Sequence, residues 1–122
     1  IGENYNIGGN NEWANIDIVK AISVLVEQEF SKNGELAVRF PYAKAAIEQD
    51  TASLITYVKD RPGHDRRYAI DATKSNNELD YQPKESFDTG IAKTVAWYLN
   101  NEKWWQSVMD GSYQDWLQQQ YS

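Results

Sequence analysis

Leu54-Ile55-Thr56-Tyr57-Val58-Lys59-Asp60-Arg61-Pro62-Gly63-His64-Asp65-Arg66-Arg67-Tyr68-Ala69-Ile70-Asp71 is the stretch on which the reading of this chain turns. Its first five residues are aliphatic, β-branched or aromatic, the composition of a strand. Pro62-Gly63 marks a tight reversal, and Tyr68-Ala69-Ile70 has the character of a brief second strand. Between the two, residues 59–68 hold three of the four arginines and the single histidine, in a chain whose formal net charge is -6. Arg61 can grip a diphosphate or a carboxylate with its planar fork. His64 can donate to the same anion or contact a ring, and Pro62-Gly63 lets backbone N–H groups approach it. The competing reading is a surface turn in which Arg61, Arg66 and Arg67 pair with Asp60, Asp65 and Asp71. Exposed pairs contribute only about 0–1 kcal/mol each, so stability is a weak reason for gathering them.

Upstream, Tyr5-Asn6-Ile7 reads as a short strand stopped by Gly8-Gly9. Ile18, Val19, Ile22, Leu25, Val26 and Phe30 then recur at helical spacing. Asn15 is the expected N-cap, with Asp17 in the first turn and Asn33-Gly34 as the stop. Because helix N-termini also bind anions, Asn15 can cap and contact a ligand at once. Residues 33–52 read as a peripheral insertion, with a short helix possible from Tyr42 to Glu48. Downstream, Asp71 caps a helix of roughly two turns ending near Leu79. Ser86 opens another, with Phe87, Ile91, Val95 and Tyr98 on one stripe. Asn100-Asn101 breaks it, Glu102 to Val108 adds a turn or two, and Gly111 is a stop. Ser112 and Asp115 resemble a capping box for a last helix through Trp116, Leu117 and Tyr121. The expected fold class is α+β: a small helix-rich domain with four or five helices and two or three short strands.

The 122 residues suffice for one domain. Hydrophobic residues make up 41% and charged residues 25%, the balance of a globular protein. With no cysteine there is no disulfide framework, no thiol nucleophile and no thiolate metal site, and a cytoplasmic location fits. No apolar run approaches the ~20 residues of a membrane span. A pI near 4.7 argues against nucleic acid. The only methionine is Met109 and the chain opens directly on a strand-like segment, so a piece of a longer protein, cut near a domain boundary, is expected.

Aromatic residues cluster late: Trp97, Tyr98, Trp104, Trp105, Tyr113, Trp116 and Tyr121. They can stack sugars or bases, but helical spacing favours packing, and part of the set can cover a surface that a missing domain normally meets. Gly-x-Gly-x-x-Gly, Gly-x-x-Gly-x-x-Gly and Gly-Lys-Ser/Thr loops are absent, as is Tyr-x-x-x-Lys. One histidine with no cysteine argues against a transition-metal site, and no acid–base or nucleophile set is recognisable. The chain offers binding groups rather than reactive ones.

Tyr5 to Glu12, Asn15-Ile16-Asp17, Leu54 to Asp71 and Thr94-Val95-Ala96-Trp97-Tyr98-Leu99 together resemble the C-terminal third of the dTDP-glucose 4,6-dehydratases, a branch of the extended short-chain dehydrogenases/reductases. The resemblance spans nearly all of the chain except residues 33–52, and the Asp-Arg-Pro-Gly-His-Asp-Arg-Arg-Tyr-Ala-Ile-Asp run is specific to that branch. It implies a parent enzyme with an NAD-binding Rossmann domain, absent here, and a smaller nucleotide-sugar domain, to which residues 1–122 correspond. The parent would oxidise the glucose of dTDP-glucose at C4 with NAD, eliminate water across C5–C6, and return the hydride to C6. The product, dTDP-4-keto-6-deoxyglucose, feeds rhamnose and related surface sugars. The parent is expected to be a cytoplasmic homodimer. The resemblance puts Asn15, Asp60, Arg61, Pro62, Gly63 and His64 at the nucleotide-diphosphate end of the substrate, with Tyr121 as a further substrate-proximal residue. It puts no catalytic and no cofactor-binding residue in this chain. Where the family usually has a glycine before an aromatic, Asp80 precedes Tyr81. The alternatives are an epimerase or a dehydratase acting on another nucleotide sugar, and a non-enzymatic carbohydrate- or anion-binding module.

Overall fold

The computed structural model describes residues 2–59, 62–63 and 69–111. Six helices carry these residues: α1 (Asn15–Lys32), α2 (Gly34–Arg39), α3 (Lys44–Ile47), α4 (Thr73–Leu79), α5 (Phe87–Asn100) and α6 (Glu102–Met109), with a 3-10 turn at Thr51–Leu54.

The expected α+β class with two or three short strands does not hold, because no strand is present among the described residues. Leu54 closes the 3-10 turn, and residues 55–59 follow without regular structure. Tyr57 and Val58 are 84% and 83% exposed. β-propensity measures how well a side chain suits a pleated, half-buried surface next to a neighbouring strand. No such neighbour lies beside this run among the described residues, so its composition is not converted into a ladder. Residues 5–7 do run beside residues 70–71, but side chains join them: Asn6 Nδ2 donates to the Asp71 carbonyl at 3.3 Å.

Helices α1, α4, α5 and α6 arise as their sequences suggest, with the start of α1 displaced, whereas α2 lies within the stretch expected as a peripheral insertion. α1 begins at Asn15, so Asn15 is its first helical residue and not its cap; Ala14, with extended backbone, occupies the cap position and gives no side-chain cap. Asn33 serves two helices. Its N–H donates to Glu29 O at 2.9 Å, ending α1, and its Oδ1 accepts from Glu35 N at 3.1 Å, opening α2. α5 opens with a reciprocal capping box, Ser86 Oγ accepting from Thr89 N and Thr89 Oγ1 accepting from Ser86 N. At the α5–α6 corner the last carbonyls are satisfied by amides four residues on: Asn100 Nδ2 to Ala96 O and Asn101 Nδ2 to Trp97 O, both 2.8 Å.

The core sits between the C-terminal half of α1 and the following excursion. Phe30, Leu36 and Ala45 are buried together, with Val26, Phe40, Ala43 and Leu99 packed around them. Phe40 lies between Phe30 and Trp105, with ring centroids 6.3 Å from each. Arg39 donates to Leu99 O at 2.7 Å and pairs with Glu102 at 3.3 Å, which fastens α2 to the α5–α6 corner. Glu27 Oε1 accepts from Thr51 N at 2.7 Å, returning the end of residues 33–52 to α1. α5 packs along α1.

Candidate functional site

The candidate site has to be assembled from two legs of chain. The first, residues 5–9, leads through Trp13 into α1. The second, residues 69–71, follows the basic stretch and leads into α4. Between and around these legs the structure shows a continuous set of contacts. Ser75, wholly buried on α4, donates through Oγ to Asn6 O, while Asn6 Nδ2 reaches back to Asp71 O. Tyr5 Oη donates to Glu78 at 2.8 Å. Lys74 pairs with Glu3 at 2.8 Å and stands 4.7 Å over the Tyr5 ring. Glu3, Tyr5 and Asn6 thus lie as a strap across α4.

The electrostatics follow from these contacts. The hydrogen bond to Glu78 holds the Tyr5 phenol above its usual range, because ionisation would remove the donor and set two anions together. Asp71 Oδ1 accepts from Thr73 N at 2.9 Å, so Asp71 supplies the cap of α4 from one position before Ala72. The hydrogen bonds from Thr73 hold the Asp71 carboxyl below its usual range.

Of the residues expected at the site, Asn15 lies exposed at the first position of α1. Pro62 and Gly63 form an exposed turn in which Gly63 has φ 75, a backbone that favours glycine. Asp60, Arg61, His64 and Tyr121 lie outside the described residues. Sequence reasoning missed Ser75, Lys74, Glu78 and Gly8. Ser75 carries no pattern that marks a buried donor, whereas Gly8 is visible as a glycine whose local pattern marks only a strand stop.

The aromatic cluster divides. Trp97, Tyr98 and Trp104 meet edge to face, with centroids 5.1–6.1 Å apart, and all three are about half exposed. Trp105 turns inward, stacking on Phe40 and donating to Tyr98 O at 3.0 Å. Trp13 stacks on Phe87 at 4.3 Å, which seats the approach to Asn15 on the start of α5. Tyr113, Trp116 and Tyr121 lie outside the described residues.

No three His, Cys, Asp or Glu side chains come together as a metal site among the described residues. Nor do these residues suit a dinucleotide. A pyrophosphate needs open glycine backbone at a strand-to-helix turn, and no strand leads into a helix among the described residues. No helix among the described residues is long and apolar enough to cross a membrane.

The sequence model of a family described as GDP-mannose 4,6 dehydratase matches residues 1–94. The chain belongs to the GDP-mannose 4,6-dehydratase family. Among curated proteins it is similar to a dTDP-glucose 4,6-dehydratase of Escherichia coli, 54% identical over 112 residues, which are 92% of this chain and 28% of that protein. A dTDP-glucose 4,6-dehydratase of Neisseria meningitidis serogroup B is 51% identical over 93% of this chain and 29% of its own length. That of Salmonella typhimurium is 48% identical over 98% of this chain and 29% of its own length. The chain thus spans less than a third of the length of these relatives. The GDP-mannose 4,6-dehydratase family match takes in the strap, Asn15, the whole basic stretch and α4, and it ends within α5.

Proposed function

We propose that this chain is the part of a nucleotide-sugar 4,6-dehydratase that holds the nucleotide diphosphate of dTDP-glucose, and that the complete polypeptide converts dTDP-glucose to dTDP-4-keto-6-deoxyglucose with loss of water. The observation that carries this reading is 54% identity over 92% of the chain with a protein named for that substrate. Arg61 is the bidentate grip on the diphosphate, His64 a second donor, and the turn of Pro62 and Gly63, with Asp60 before it, shapes the approach. Asn15 meets the substrate from the start of α1, and Tyr121 completes the contact. NAD is held by residues outside this chain, the complete protein is a cytoplasmic homodimer, and residues 1–122 act as its substrate-binding domain. Half of a cleft binds weakly, because a ligand must be gripped from both sides to offset its lost freedom. The isolated chain therefore has no dehydratase activity.

The test is Arg61→Ala in the complete polypeptide. Losing a charge-assisted fork removes roughly 1.5–3 kcal/mol of binding, so KM for dTDP-glucose rises about 10- to 100-fold while kcat changes little. An unchanged KM removes Arg61 from the site. Faster turnover of GDP-mannose than of dTDP-glucose by the unmodified protein would reassign the substrate.

A further inference from the structure

We infer that Gly8 and Ile70 form the point that registers the two legs of the nucleotide-sugar site, and that Gly8 is a positioning residue for substrate binding. The inference rests on the function proposed above. Gly8 does not adopt a left-handed backbone, so what it supplies is space. A Cβ at Gly8 would stand 3.1 Å from Ile70 Cγ2 and 3.2 Å from Ile70 Cβ. Carbon atoms rest comfortably at about 3.5–4.0 Å, so the gap between the legs is filled before any side chain is added. The legs have little room to slide apart. Asn6 Nδ2 is bonded to Asp71 O, and Ser75, buried on α4, donates to Asn6 O.

What this contact sets is a distance between chain segments. The leg carrying Gly8 runs on to Asn15 at the head of α1. Ile70 stands two residues after the basic stretch that ends at Tyr68. A methyl group at position 8 makes the neighbouring leg give by about 0.3 Å or more at this point, which shifts the segment leading to Asn15 against the segment that follows the basic stretch. The space at position 8 faces Ile70, so a methyl there acts through the spacing of the legs, and the effect is expected on binding and not on the chemical step.

The experiment uses the complete polypeptide, with turnover of dTDP-glucose and affinity for dTDP as readouts. Gly8→Ala is expected to raise both KM and the dTDP Kd about 3- to 10-fold, with kcat within about twofold. Adding Ile70→Ala removes the nearest carbon, Cγ2, but keeps Cβ at 3.2 Å, so it restores part of the affinity. Ile70 is 54% exposed, so this second change leaves no buried hole. Adding Ile70→Val instead keeps a methyl at the crowded position and does not restore it. Ser75→Ala, which frees Asn6 O without adding bulk, is expected to raise KM in the same direction. A wild-type protein that turns over dTDP-glucose while Gly8→Ala leaves KM and Kd unchanged overturns the inference. So does equal rescue by Ile70→Ala and Ile70→Val, or a Ser75→Ala protein that loses thermal stability at constant KM. A wild-type protein that neither converts dTDP-glucose nor binds dTDP fails at the proposed function, and the registration role falls with it.

Discussion

Asp80 closes α4 with φ 52 and ψ 29, a left-handed conformation that costs a residue with a Cβ about 1 kcal/mol or more. Glycine at this position would avoid that strain, although it adds freedom to the unfolded chain. Asp80→Gly is therefore expected to stabilise the complete protein by roughly 0.5–1 kcal/mol, read as a shift in the urea midpoint. A lower midpoint would show that the Asp80 side chain contributes more than its backbone costs. Asp71 acts through its charge. Its folded carboxyl is held below the usual value, first by the Thr73 side chain and then by the Thr73 backbone. The stability it contributes is complete above the ordinary carboxylate value of about 4 and fades as pH falls through the lower, folded value. Asp71→Asn keeps an acceptor oxygen but cannot titrate. Its midpoint should fall less steeply than that of wild type when pH drops below about 4. Superimposable acid limbs would remove Asp71 from the account. At this scale the sequence was readable where a residue type has one local use. Asp71 was legible as a cap and Asp80 as a misfit at a glycine position, whereas Ser75 was not, because only tertiary packing makes a buried donor of it.

The elements divide by how local their causes are. α1, α4, α5 and α6 have apolar periodicity, a starting signal or a stopping residue within their own sequence, and each lies close to where those signals put it. The strands failed for the converse reason, since Ile55, Tyr57 and Val58 suit a strand only when another strand adjoins them. The short helices α2 and α3 offer too few residues for a period to register. Leu36 and Ala45, which they carry into the core beside Phe30, could not be recognised from spacing alone. Leu36 is 2% exposed, so Leu36→Ala should cost about 2–5 kcal/mol through lost burial and the cavity left behind. Chemical denaturation of the complete protein measures this. A cost below about 1 kcal/mol would mean that α2 collapses onto α1 and closes the gap.

Across the whole molecule, the described residues leave much apolar surface uncovered. Val38, Tyr42, Tyr57, Val58 and Met109 are 78–91% exposed, while the buried apolar residues are Phe30, Leu36, Ala45, Ala72 and Val95. Large apolar side chains left this open are surface on which other protein can pack. The isolated chain is therefore expected to enhance the fluorescence of a hydrophobic dye at neutral pH well above the complete protein at equal molarity. Equal signals would mean that these side chains remain open in both. Of the candidate site, the sequence revealed the basic stretch and the family, because both lie in residue identity and order. It did not reveal the strap across α4, which joins residues some seventy positions apart. The edge-to-face set of Trp97, Tyr98 and Trp104 also has an optical consequence. Trp13 is the only indole far from this end of the sequence, so ultraviolet-excited emission reports chiefly on the α5–α6 corner, whereas far-ultraviolet circular dichroism weights every helix, with α1 the longest. Two melting curves recorded on one sample by these methods would separate if that corner loosens before α1, and their spacing would time its release.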